Sequence, residues 1–218
     1  MKSGDELEAR LALHPTTALS DALDELGIKG AMSGIAAQRE GIGRISGRAL
    51  PVRFQRKTAD EKAYRFGGGV GKPLEQVLQT MKAGDVVIMD LDGARDASAW
   101  GGLASRLAQR RGVRGTVMWG SIRDLEEIRA IGYPVWAVGV CPRRSRNDFS
   151  FGSINQPLEI NGVVIAPGDY IVGDESGIVC VPQARAAEVL ALAEKVEKQE
   201  QALVTQVRDD RVSNWDQV

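Results

Sequence analysis

The sequence predicts an α/β domain with a mixed set of sheets and a C-terminal helix. Three observations carry that reading. Short apolar runs at residues 85–89 (DVVIM), 116–119 and 135–140 alternate with helical spacing at 102–111 and 123–131. Such alternation marks βαβ units whose parallel strands are covered on both faces. After Pro142 the pattern changes to short strands, and Asn161-Gly162 sits between apolar residues at 158–165 as a hairpin turn. From 184 to 207, Val189, Leu192, Ala193, Val196, Leu203 and Val207 recur at helical intervals.

The other elements follow in order. Two helices open the chain, over residues 4–13 and 17–27, with Thr16 or Thr17 placed as N-cap of the second and Gly27 as its end. Residues 45–55 (ISGRALPVRFQ) read as a strand in which Pro51 points to an edge or a bulge. Pro73 is placed in the first turn of a short helix. Runs at 169–172 and 177–181 are further strands, and Pro182 separates them from the last helix. That helix carries a narrow apolar stripe among many charges, which suits a neighbouring subunit as well as its own core. No low-complexity linker or tandem repeat divides residues 1–218, so a single domain is expected.

Composition narrows the function. With 218 residues, 43% of them hydrophobic, the chain can bury a sizeable core. Its 28 basic and 29 acidic residues give a net charge of -1, which argues against nucleic acid or an anionic membrane as partner. No stretch nears the roughly 20 apolar residues of a membrane span, and the acidic N-terminus lacks a signal peptide's apolar core. A cytoplasmic location is therefore expected. Cys141 and Cys180 stand alone, as free thiols of a reducing compartment do. His14 is the only histidine, so a metal here would need oxygen ligands.

Two strand-to-helix junctions between residues 90 and 127 concentrate the chemistry. Helix N-termini there present free amides and a favourable dipole, where α/β folds place ligands. At the first, Gly101-Gly102-Leu103-Ala104, paired glycines allow close backbone approach to an anion, or simply a tight turn. At the second, residues 120–127 (GSIRDLEE), Ser121 is placed to cap a helix, and Asp124 and Glu127 lie at i and i+3 on one face. A carboxylate pair so placed suits a hard divalent cation, and Arg123 offers a planar fork for a substrate carboxylate. The same residues equally suit plain complementarity to the helix dipole with a surface ion pair.

A glycine turn, then 20 residues, then Arg-Asp-x-x-Glu (Gly102, Arg123, Asp124, Glu127) resembles the signature of the RraA-like family. Its catalytic members are class II pyruvate aldolases that cleave 4-hydroxy-4-methyl-2-oxoglutarate or 4-carboxy-4-hydroxy-2-oxoadipate. Residues 16–23 (TTALSDAL), 84–89 and 166–182 (APGDYIVGDESGIVCVP) match the family's style, so the resemblance spans nearly the whole chain. It implies a swivelling β/β/α three-layer fold assembled as a homotrimer or hexamer. Arg123 and Asp124 would be the catalytic pair. Asp124 would bind Mg2+ or Mn2+ directly and Glu127 through water, while Arg123 binds the 2-oxo acid. The backbone of Gly101, Gly102, Leu103 and Ala104 would take its carboxylate. Members often carry an acidic residue and a second leucine in this turn, where this chain has Gly-Gly-Leu-Ala. The implied reaction splits a 4-hydroxy-2-oxo acid to pyruvate through a metal-stabilised enolate, with oxaloacetate decarboxylation as a side reaction. Residues 83–194 contain no lysine, which disfavours an imine route. The family also includes non-catalytic regulators that bind a ribonuclease, which is the alternative reading.

Other features are set aside. Residues 67–73 (GGGVGKP) fail as a phosphate loop, because its first glycine would fall at Phe66 and Pro73 replaces the Ser or Thr. His14, before Pro15, is read as structural. Asp90, Asp92 and Asp96 lack the glycine and terminal glutamate of a calcium loop. Trp100 and Trp119 flank the two junctions and are read as core. Residues 142–150 (PRRSRNDFS) suit an anionic substrate or a basic surface.

Overall fold

The computed structural model describes residues 3–58 and 72–208. Eight strands form one mixed sheet. Seven of them lie in the order β1 (Ala36–Ala37), β5 (Val135–Val140), β4 (Gly115–Ile122), β3 (Asp85–Trp100), β2 (Ile45–Arg56), β9 (Tyr170–Asp174) and β10 (Gly177–Val181). The eighth, β6 (Phe149–Ile154), also pairs with β2. Strands β2 to β5 run parallel, joined through α3 (Lys72–Thr80), α4 (Gly102–Arg110) and α5 (Leu125–Ala130). β7 (Leu158–Ile160) and β8 (Val163–Ile165) make a separate hairpin. Its turn residues Asn161 and Gly162 both have positive φ, 51° and 78°, as a type I′ turn requires. α1 (Ser3–Leu11), α2 (Thr16–Glu25) and α6 (Ala186–Arg208) complete the chain.

Strand alternation sorts the side chains into layers. Leu50, Val52, Val87, Met89 and Met118 face the helices, where Val77, Ala104, Ala108 and Ile128 cover them. Val86, Ile88, Val117 and Trp136 point the other way, beneath Leu158, Ile160, Val163 and Ile165 of the hairpin. Arg48 pairs with Tyr170, so Tyr170 and Val172 lie on the helical face too, where Leu19, Leu23, Val189 and Leu190 cover them. The result is the expected β/β/α stack of hairpin, sheet and helices.

The structure departs from the sequence reading at several places. β3 does not stop at residue 89. It stays beside β4 while bulging: Asp90 pairs with Trp119 and Trp100 with Ile122, so β3 advances ten residues (90 to 100) while β4 advances three (119 to 122). β2 is an interior strand, not an edge. Pro51 pairs with Ile88 on one side, and on the other it sits where the partner changes from β9 to β6, so little ladder is lost. Neither Thr16 nor Thr17 caps α2. Pro15 precedes it, and the Thr16 N–H and Oγ1 instead donate to Asp174 at 2.9 and 2.7 Å. Gly27, at φ 68°, does end that helix. Of the 67–73 loop, residues 67–71 lie outside the described residues; α3 begins at Lys72 with Pro73 in its first turn. No helix among the described residues is long and apolar enough to cross a membrane.

Candidate active site

The two junctions meet at the carboxyl ends of β3 and β4. β3 ends at Trp100 and passes through Gly101 into α4; β4 ends at Ile122, and Arg123 and Asp124 lead into α5. The Arg123 N–H donates to the Trp100 carbonyl at 2.9 Å, which holds the two strand ends side by side. Behind the turn, buried Trp100 donates from Nε1 to Ser105 Oγ at 2.9 Å, and Ser105 Oγ donates to the Gly101 carbonyl at 3.0 Å. This buried clamp fixes the path from strand to helix.

Asp124 occupies the N-cap position of α5 in a left-handed conformation, φ 55° and ψ 41°, which aspartate tolerates better than most residues. Its carboxylate does not cap α5. Oδ2 accepts the Gly102 N–H of α4 at 3.2 Å and Arg123 Nε at 3.2 Å. One helix start therefore places its charge on the positive end of the other. The sequence-based cap, Ser121, lies inside β4, where its buried hydroxyl donates to the Arg95 carbonyl at 3.1 Å. The Gly102 amide already serves Asp124, and the Leu103 and Ala104 amides follow it in the first turn of α4.

Side chains of the second junction stand close over both glycines. A Cβ on Gly101 would lie 2.6 Å from Asp124 Oδ2 and 3.0 Å from Arg123 Cγ. A Cβ on Gly102 would lie 1.9 Å from Glu127 Oε2. Glu127, one turn into α5, also accepts Arg106 Nε of α4 at 2.5 Å. The structure thus brings Gly101, Gly102, Arg123, Asp124 and Glu127 to one place. The side chains of Arg123, Asp124 and Glu127 are 27%, 37% and 39% exposed, so the site is open to solvent. Ala104 is buried beneath it, whereas Leu103 and Val140 are exposed apolar side chains at its margin. Ser105 and Arg106 carry no motif that sequence reasoning could have used; only their helical offset from the glycines hints at them.

The residues present fit a hard cation. Among the described residues, Asp124 Oδ1 and Glu127 Oε2 carry no hydrogen bond, and they belong to carboxylates that overhang a turn kept free of side chains. No three His, Cys, Asp or Glu side chains gather as a ligand set among the described residues. A six-coordinate ion would therefore complete its shell with water and substrate oxygens, as Mg2+ does by preference.

The features set aside earlier have structural roles. His14 is buried, and its Nδ1 meets Glu197 Oε2 at 2.5 Å, tying α6 to the corner before α2. Asp90 accepts Arg53 Nε at 3.0 Å and the Asp92 N–H at 2.9 Å, shaping the bulge in β3. Trp100 is core, as expected, while Trp119 is only partly buried. In the arginine-rich segment, Arg143 pairs with Asp96 and Asp148 at the surface.

The family described as RraA-like, Aldolase/RraA, matches residues 16–180. Protein DlpA of Legionella pneumophila subsp. pneumophila is 31% identical over 172 residues, which is 79% of this chain. The chain spans only 27% of DlpA's length, and 53% of that of an uncharacterized relative from Methanocaldococcus jannaschii. A 4-hydroxy-4-methyl-2-oxoglutarate aldolase of Thermus thermophilus is 32% identical over 145 residues, 63% of this chain and 86% of that protein. Among solved structures, RraAS2 of Streptomyces coelicolor, described as an unusual member of the RNase ES inhibitor RraA protein family, superposes with a TM-score of 0.80. It is 29% identical and covers 90% of this chain and 94% of its own. Motif, layers and family match coincide over the same residues, and the chain belongs to the RraA-like family.

Proposed function

We propose that the protein is a divalent-metal-dependent aldolase that splits a 4-hydroxy-2-oxo acid to pyruvate. One observation carries this reading: Arg123, Asp124 and Glu127 converge over a glycine turn whose lack of side chains leaves room for them. The Thermus relative's name suggests 4-hydroxy-4-methyl-2-oxoglutarate as the substrate to try first. In this reading Asp124 would hold Mg2+ or Mn2+, and Glu127 would engage it through water. Bound there, the cation supplies a Lewis acid for the charge that develops on the keto oxygen as the C–C bond breaks.

The chain's own residues bind and orient. Arg123 lies beside Asp124 and presents its guanidinium fork to the substrate carboxylate. The Leu103 and Ala104 amides, at the positive end of α4, favour a carboxylate by hydrogen bond and dipole. The Trp100–Ser105–Gly101 hydrogen bonds hold the start of α4, and the Gly102 N–H ties it to Asp124, which favours a preorganised site. Exposed Leu103 and Val140 at the margin suit cover by a second copy, in a trimer or hexamer.

Pyruvate release from 4-hydroxy-4-methyl-2-oxoglutarate, measured with Mg2+ or Mn2+, tests the proposal. Release should stop on chelation and return when the cation is restored. No release from any of a panel of 4-hydroxy-2-oxo acids with either ion overturns it. The likeness to RraAS2 favours a second reading, a regulator that binds a ribonuclease. Under that reading the protein would inhibit the ribonuclease equally well with Asp124 replaced by asparagine.

A further inference from the structure

We propose that Arg106 is the positioning residue that fixes Glu127 over Gly102 and so makes Glu127 the second acid of the site. The inference rests on the aldolase reading and deepens it. Glu127 reaches from α5 across to α4, where its Oε1 accepts Arg106 Nε at 2.5 Å. Its other oxygen fills the volume that a side chain at position 102 would claim: a Cβ there would fall 1.9 Å from Oε2 and 2.2 Å from Cδ. Arg106 lies four residues after Gly102, one helical turn on, and helical side chains lean back toward the N-terminus, so its guanidinium returns to the glycine turn.

A glutamate 39% exposed would ordinarily sample several rotamers. Here a guanidinium holds one oxygen, and bare glycine backbone lies beneath the other. Oε2 carries no hydrogen bond among the described residues and stands over Gly102, whose N–H donates to Asp124. A lysine at 106 would keep the charge and lose the planar fork.

Three variants test this: Arg106→Ala, Arg106→Lys and Gly102→Ala. Mn2+ binding to the cation-free protein is followed by electron paramagnetic resonance, alongside kcat and KM for pyruvate release from 4-hydroxy-4-methyl-2-oxoglutarate. Arg106→Ala should weaken Mn2+ binding about tenfold, the lower end of the effect of groups that orient a ligand. It should lower kcat more than it raises KM, and Arg106→Lys should recover part of both losses. Thermal unfolding gives a readout independent of cation and turnover. Gly102→Ala sets a Cβ within 2.9 Å of Glu127 Oε2, Cδ and Cγ and displaces that side chain from its place beside Arg106, so it should lower Tm by roughly 1–2 °C less in the Arg106→Ala background than in the parent. Unchanged Mn2+ affinity and kcat in Arg106→Ala overturn the proposal, and so does strict additivity of the two Tm shifts. A parent protein that neither binds Mn2+ nor releases pyruvate instead overturns the aldolase reading, and the Tm cycle then still decides whether Arg106 fixes Glu127.

Discussion

Replacing Asp124 with asparagine removes a charge and keeps nearly everything else. Asparagine accepts the left-handed conformation at φ 55° as readily as aspartate, and its amide oxygen can still receive the Gly102 N–H. The fold should lose only the charge-dependent part. That part is about 0.3–1 kcal/mol for the dipole of α4, plus well under about 1 kcal/mol for the half-exposed pair with Arg123. A loss near 1 kcal/mol lowers Tm by about 2–4 °C in a chain of this size. Alanine at 124 is a different perturbation. The left-handed conformation costs it about 1–2 kcal/mol, and the Gly102 amide loses its acceptor for about 1 kcal/mol more. Added to the charge-dependent loss near 1 kcal/mol, these give roughly 3–4 kcal/mol, a Tm drop of about 6–16 °C. Metal-dependent pyruvate release should vanish in both variants, although one is nearly as stable as the parent. Thermal unfolding and coupled pyruvate detection on the same preparations read the two quantities. Turnover surviving in Asp124→Asn, or equal destabilisation by Asn and Ala, would refute the reasoning.

Further outcomes follow from other residues. Arg123→Ala should raise KM at least tenfold with a smaller fall in kcat, since it removes carboxylate binding more than transition-state contact; an unchanged KM contradicts that role. Trp136 is fully buried and donates from Nε1 to the Asp174 carbonyl at 2.8 Å, so Trp136→Ala should cost about 3–5 kcal/mol in urea unfolding. Gly30→Ala sets a Cβ 2.5 Å from Leu23 Cδ1 and 2.7 Å from the Cys180 carbonyl, and should cost about 1–3 kcal/mol by the same measurement. Burial, with Asp169 adding to it, pushes the Cys180 thiol well above its ordinary pKa, so almost no thiolate forms at pH 8. A thiol reagent at that pH should titrate Cys141 in the native protein and Cys180 only after denaturation; equal rates would show that Cys180 is not sealed in.

The parts of the fold that the sequence foretold are those with local signals. β5 and β10 appear at the expected bounds because each is a short apolar run between breakers, and Asn161-Gly162 makes its hairpin through positive φ at both positions. The extension of β3 to Trp100 was hidden because Asp90, Asp92, Arg95 and Asp96 break up any apolar run over residues 90–98, and their pairing depends on β4, a partner about 25 residues away. The candidate site divides the same way. The glycine turn and the Arg-Asp-x-x-Glu spacing were legible as a motif. That Asp124 would leave its own helix uncapped and serve α4 was not, because it follows from a left-handed residue and from the register of two neighbouring strands. Ser121 looked like a cap only because serine before a helical run often is one.

The most direct test of the central claim is a Mn2+ titration followed by electron paramagnetic resonance, with pyruvate absent and present, on the parent and on Asp124→Asn. The account predicts that the parent depletes free Mn2+, that pyruvate tightens the binding, and that the asparagine variant does neither while staying folded. Equal Mn2+ depletion by both proteins, or none by the parent with pyruvate present, would contradict it.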